Sequence, residues 1–227
     1  MSLIIYIKIN YMFIDINKIS LIIKESINDI LDRKDTILNY IKSFGSKGKL
    51  PSFNGKIKDY YKKYFEEAYT WAEQSTYNVK YNGKAYAERE ICVSTIGKWT
   101  FNKRGLIYVE RSIDIKLDEL NNINYTSIGE CWSWKKGNGR SYCANHSLLD
   151  NNIIHVVLCG YVHPNSIDWI ETIYLNLYKM KNETEIRMND NAIVEISYVR
   201  INGIKESLKG SYLINASANK YNKNKWD

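Results

Sequence analysis

Glu183-Thr184-Glu185-Ile186-Arg187-Met188, followed by Ala192-Ile193-Val194-Glu195-Ile196-Ser197-Tyr198-Val199, is the stretch whose reading decides the fold. The second segment alternates apolar and polar residues and reads as a strand. In extended chain, residues i and i+2 point to the same face, so Glu183 and Glu185 project together. Carboxylates held that close repel, which raises the pKa of at least one, and a raised carboxyl pKa suits acid–base work. A solvated strand edge explains the same pair, so its weight comes from two segments upstream.

The first of these is Leu106-Ile107-Tyr108-Val109-Glu110-Arg111-Ser112, an apolar strand that ends in arginine. A guanidinium is always charged and offers a planar donor fork that fits phosphate or ribose oxygens. An edge-strand Arg paired with a surface Glu accounts for it equally. The second is Gly129-Glu130-Cys131-Trp132-Ser133-Trp134, followed by Gly137 and Gly139 and by Arg140-Ser141-Tyr142-Cys143-Ala144. Strand alternation puts Trp132 and Trp134 on one face and Cys131 and Ser133 on the other. Ser133 is suited to orient a carboxylate, and a tryptophan to floor a pocket for a flat ring. The competing reading is a core strand with two buried indoles and one satisfied hydroxyl.

Around these segments the chain changes texture once. Residues 17–45 carry Ile19, Ile22, Ile23, Ile27, Ile30 and Leu31 at helical spacing, and Asp35 or Thr36 opens a second helix through Leu38, Ile41 and Phe44. Gly45-Ser46-Lys47-Gly48, Pro51 and Gly55 mark a loop, and a third helix is expected from about Ile57 to Gln74. After Ser75 short β-branched and aromatic runs take over. The expected strands are Tyr77–Tyr81, Ile91–Thr95, Leu106–Ile113, Ile153–Leu158, Glu185–Met188, Ala192–Val199 and Tyr212–Leu213, with Asn82-Gly83 as a hairpin turn. Helices are expected over Gly139–Ser147 and over Ser166–Tyr178, the latter with Ser166 as N-cap. The expected class is α+β: a helical N-terminal region (1–75), a mixed or antiparallel split-sheet core (76–214) and a polar tail (215–227).

The formal charge of +7 favours anionic partners such as a nucleotide, nucleic acid or an acidic protein surface. Abundant Lys, Asn, Ile and Tyr is also what an AT-rich coding sequence writes. The four cysteines, Cys92, Cys131, Cys143 and Cys159, contain no Cys-x-x-Cys pair, so reduced thiols are expected and no metal site. The N-terminal sixteen residues lack a basic leader region and a cleavage site, and no apolar run is long enough to span a bilayer. The expectation is a cytoplasmic protein with no membrane contact.

In their order, the three segments resemble the ADP-ribosyltransferase superfamily over roughly residues 104–200. That pattern has an aromatic and an Arg on one strand, a Ser-x-Ser/Thr strand followed by an Ala-containing helix, and a Glu-x-Glu pair opening a third strand. Tyr108 with Arg111, Cys131-Trp132-Ser133 with Ala144, and Glu183-Thr184-Glu185 correspond to these; Cys131 departs from the pattern at the first Ser position. The resemblance implies NAD as co-substrate and a split sheet of that family's type. It implies Glu185 as the carboxylate on the ribose, Glu183 for the acceptor and Arg111 for the NAD phosphate or ribose. Ser133 or Cys131 would position Glu185, and Tyr108, Trp132 or Trp134 would contact nicotinamide or adenine. The implied acceptor is a macromolecule: a protein side chain, Arg favoured by the Glu-x-Glu form, with nucleic acid open. A toxin or a phage or virus effector in a host cytoplasm fits such an enzyme. The competing readings are a non-catalytic basic nucleic-acid-binding protein, an NAD hydrolase of the same fold, and a degenerate transferase used for binding.

Overall fold

The computed structural model describes residues 32–74, 98–121, 128–137, 152–174 and 184–216. Its strands are β1 Gly45–Lys47, β2 Ile107–Lys116, β3 Cys131–Ser133, β4 Ile153–Val162, β5 Glu185–Arg187, β6 Ile193–Ile201 and β7 Ile204–Asn215. Helices are α1 over 32–43, α2 Ile57–Gln74 and α3 Trp169–Tyr174. The class is mixed α+β, and the strands form one seven-stranded sheet in the order β1-β7-β6-β4-β2-β3-β5. Every ladder in it is antiparallel.

The centre of the sheet follows from its longest apolar strands. β2 and β4 pair over ten residues each, from Ile107↔Val162 to Lys116↔Ile153. Antiparallel register keeps directly opposed side chains on one face, so the pairing fixes two faces with different chemistry. One face carries Ile107, Val109 and Ile115 of β2, Val156, Leu158 and Val162 of β4, Trp132, Ile186, Val199 and Ile201. It packs with Ile37 and Ile41 of α1 and with Trp169 and Ile173 of α3 as a single core. Helix α1 thus belongs to the same core as the sheet. The other face carries Tyr108, Val157 and Cys159, with Tyr161 and Tyr198 against them.

Several expectations change in the structure. The sheet is continuous among the described residues where a split one was expected, because β4 pairs with β2 on one side and β6 on the other and leaves no gap. β7 is a twelve-residue strand, far longer than Tyr212–Leu213. Lys205, Glu206, Lys209 and Gly210 give it no apolar alternation. Its hairpin creates it: Ile201 faces Ile204 across Asn202 and Gly203, whose φ values of 47° and 89° suit a two-residue primed turn. β1, expected as loop, pairs with the end of β7. Gly45 permits this contact, since a Cβ there would sit 2.3 Å from the Leu213 carbonyl oxygen.

The third helix falls on Ile57–Gln74 as expected; α1 covers most of the second, but the chain is already helical at Asp32, so neither Asp35 nor Thr36 begins it. For α3 the cap is Asp168, whose Oδ1 accepts the Glu171 amide at 3.0 Å; Ser166 closes a 3-10 turn, Pro164–Ser166, instead. The expected strands Tyr77–Tyr81 and Ile91–Thr95, the Asn82-Gly83 turn, the helix Gly139–Ser147 and the tail lie outside the described residues. Among the described residues no helix is long and apolar enough to cross a membrane.

Candidate functional site

The three segments singled out in the sequence become neighbouring strands, β2, β3 and β5. Glu110 opposes Ser133, and Ser133 opposes Glu185. Glu110 also opposes Cys159, which opposes Tyr198. Glu185, Ser133, Glu110, Cys159 and Tyr198 therefore form one row across five strands on the face away from the main core. Adjacent members are roughly 5 Å apart along the row. Arg187, Cys131 and Ser112 lie two residues along their strands from this row and share its face.

Glu185 sits at the outer end of the row. Its carboxylate lies 3.1 Å from Arg187 Nε. Arg187 NH1 reaches Glu130 as well, so one guanidinium ties two carboxylates that are each 13 % exposed. Arg187 is itself buried; burial opposes its charge, but Cys131, Glu185 and Glu130 together raise its pKa above the ordinary value. Cys131 opposes Arg187 and hydrogen-bonds Glu185. Burial, and then the Glu185 charge, push its thiol up to about 12. It stays protonated and donates to the carboxylate.

Of the two residues expected to position Glu185, the contact thus belongs to Cys131. The Ser133 hydroxyl turns to Thr184 Oγ1 at 2.9 Å and accepts the Lys135 amide at 3.2 Å. Thr184, the middle residue of Glu-x-Glu, is buried and left-handed with φ 55°. A β-branched residue is rare there, because Cβ crowds the backbone, and such strain clusters at functional sites. Glu183 and Ala144 lie outside the described residues.

The middle of the row is a closed polar cluster. Glu110, fully buried, accepts from the Tyr108 hydroxyl at 2.9 Å and from Arg200 Nη2 at 3.2 Å. The Tyr108 and Tyr198 hydroxyls are 3.2 Å apart. Burial raises the Tyr108 phenol pKa far above its usual range, so it remains a donor. The sequence reading named Tyr108 only as a nicotinamide or adenine contact and gave no role to Glu110 or Arg200. The signal was alternation: Tyr108 and Glu110 share a face that Arg111 does not.

Arg111 is not brought together with Glu185 and Ser133. It opposes Leu158 of the main core, so its side chain rises from the other face of the sheet. Its NH1 donates to the Cys131 carbonyl, and its guanidinium fills the space where a Cβ on Gly129 would stand. Gly129, at φ 103°, is the residue that admits it. Trp132 and Trp134 share that core face. Trp132 is buried and donates to the Gly129 carbonyl at 2.8 Å. Trp134 lies 6.2 Å from Trp99, which stacks on Trp169 at 5.5 Å. Both indoles are core packing, on the side away from Glu185.

Glu195, part of the strand following Glu-x-Glu, has a separate task. It receives Arg104 NH1 on both oxygens, at 3.1 and 2.8 Å, and the Leu50 amide at 2.9 Å. Among the described residues no group of three or more His, Cys, Asp and Glu is placed to hold a metal. No protein-family model matches this chain, and neither curated proteins nor solved structures give a match.

Proposed function

We propose that the protein is an NAD-dependent ADP-ribosyltransferase whose reacting carboxylate is Glu185. The observation that carries this reading is the in-register row Glu110, Ser133, Glu185, which sets the three sequence segments side by side with Glu185 at the outer end. The left-handed Thr184 beside it adds strain where a functional side chain must be aimed.

In the proposed reaction the bond between C1′ of the ribose and the nicotinamide nitrogen breaks. Nicotinamide leaves with the electron pair and becomes neutral. Positive charge develops on the ribose as in glycoside hydrolysis, and the Glu185 carboxylate stabilises it. A lone pair of the acceptor forms the new bond to C1′, and the acceptor loses one proton. Cys131 and Arg187 hold Glu185 in place as donors. Glu183 keeps its proposed part at the acceptor. In this reading Arg111, Trp132 and Trp134 act as support and not as cofactor contacts: Arg111 braces β3, and the indoles fill the core beneath it. Tyr108 stands on the Glu185 face, within the Glu110 cluster. The favoured acceptor is a protein side chain, Arg first, in a cytoplasm that for an effector would be the host's.

The test is transfer from labelled NAD to protein and nucleic acid in a cell lysate, with Glu185→Gln as control. A labelled species lost in the control supports the reading. Release of nicotinamide without label points to NAD hydrolysis, and equal labelling by both proteins removes Glu185 from the chemistry.

A further inference from the structure

Residues 45–56 and 100–106 carry Lys47, Lys49, Lys56, Lys103 and Arg104 and not one Asp or Glu, in a chain that sets 32 basic residues against 25 acidic ones. The fold joins these two segments at the end of the sheet where β2 begins and β4 ends. The Gly48 amide donates to the Ser211 carbonyl of β7 at 3.1 Å, and the Leu50 amide to Glu195 of β6 at 2.9 Å. The Phe53 amide donates to the Arg104 carbonyl, just before β2, at 2.8 Å. The Phe53 ring also stands edge-on to His163, the residue after β4, at 5.3 Å. Residues 48–53 therefore form a strap across β7, β6, β4 and β2 in sheet order, a span of roughly 15 Å at three strand spacings.

Glu195, the carboxylate that anchors the strap, is buried and takes Arg104 on both oxygens. It neutralises Arg104 and leaves the lysines uncompensated. Lys47, Lys49, Lys56 and Lys103 are exposed, and among the described residues none of them has an ion-pair partner. Lys47 also lies against Gly210 of β7, next to the exposed Lys209. Helix α2 shows what a solvated face looks like instead: its Lys58, Lys62 and Lys63 are interspersed with Asp59, Glu66 and Glu67. Like charges held on a fixed backbone repel one another, and a bound polyanion relieves that cost. Phe101, 36 % exposed, stands two residues before Lys103 on the same turn. An exposed aromatic ring among cations suits a partner that offers both phosphates and flat bases.

We propose that the strap and the turn at 102–105 form a binding surface for a single strand of nucleic acid, running across the end of the sheet from Lys47 to Lys103. The lysines contact backbone phosphates, and the Phe101 ring stacks on a base. Glu195 and Arg104 are positioning residues that hold the strap against the turn. Phosphate contacts carry no sequence information, so binding is sequence-tolerant and falls with salt. Four lysines on a single strand give log K a slope of about −3 against log salt.

Anisotropy of a labelled single-stranded oligonucleotide, titrated with the full chain at several salt concentrations and without NAD, tests this. Lys49→Ala combined with Lys103→Ala is expected to weaken binding on the order of tenfold and to make the salt slope shallower by about 1.4. Lys116→Ala combined with Lys205→Ala removes the same charge from the opposite end of the sheet and is expected to stay within about twofold of the wild type. Phe101→Ala is expected to weaken binding with the salt slope unchanged, because a stacked base releases no counterion. Unchanged urea midpoints check the folding of each variant. Equal losses in the two double variants would reduce the effect to net charge and overturn the proposal, as would no binding at low salt. Displacement of the oligonucleotide by polyglutamate at equal charge, with Phe101→Ala silent, would assign the surface to an acidic protein and also overturn it. Binding is read without NAD, so its failure leaves the Glu185 reading untouched.

Discussion

Replacing Arg187 with methionine leaves Glu130 and Glu185 facing one another with their shared cation gone. Each carboxylate is 13 % exposed, so water replaces little of what the guanidinium supplied. Breaking a buried pair by removing one partner costs about 3–5 kcal/mol, because an uncompensated charge stays behind. With a urea dependence of roughly 2 kcal/mol per molar, that is a midpoint lower by about 1.5–2.5 M. The triple variant Arg187→Met, Glu130→Gln, Glu185→Gln removes the stranded charges too. It is expected to regain more than half of the loss, since neutral amides cost less to bury than carboxylates. Urea unfolding of wild type, single and triple variants, followed by far-ultraviolet circular dichroism, measures both terms. The reasoning is refuted if the single variant loses under about 1 kcal/mol, the range of an exposed ion pair. It is refuted as well if the triple variant is no more stable than the single.

Further outcomes follow from the same face. The Cys131 thiol, pushed up to about 12, should resist alkylation at pH 8 in the folded protein and react freely in denaturant, as peptide-resolved mass spectrometry would show. The folded state then holds this proton more tightly than the unfolded chain. That contribution is intact below the free-thiol value near 8.5 and is lost as pH climbs toward about 12, so thermal stability should fall across that window. Tyr108→Phe removes a hydroxyl that serves Glu110 and Tyr198 and should cost about 1–3 kcal/mol in urea unfolding. Gly160→Val should cost about 1–3 kcal/mol or more, because a Cβ there meets the Glu195 carbonyl oxygen at 2.3 Å. Arg111→Ala should lower the melting temperature while leaving NAD affinity unchanged, since its guanidinium braces β3 on the core face.

Much of the central sheet was legible because its strands are buried on their faces and written in β-branched residues. β2, β4 and β6 were located within a few residues by that signal. The helix Ile57–Gln74 was legible from the Pro51 and Gly55 breaks before it. β7 and β1 were not, because an edge ladder is held by backbone bonds and needs no apolar pattern. The turn residues Asn202-Gly203 carried the missing signal. At the site, sequence order placed the three segments together, and strand alternation settled which of their side chains meet. Glu110 belongs with Ser133 and Glu185, whereas Arg111 one residue on does not. Arg200, distant by 90 residues from Glu110, could be joined to it only by the register of β4.

The most direct test of the account is transfer of label from NAD by the wild-type protein and by Glu185→Gln, with folding of both confirmed by melting. The account predicts a labelled macromolecule with the wild type and its loss with Glu185→Gln. A labelled product that survives Glu185→Gln, or a folded wild-type protein that neither transfers label, releases nicotinamide nor gains melting temperature with NAD, would contradict it.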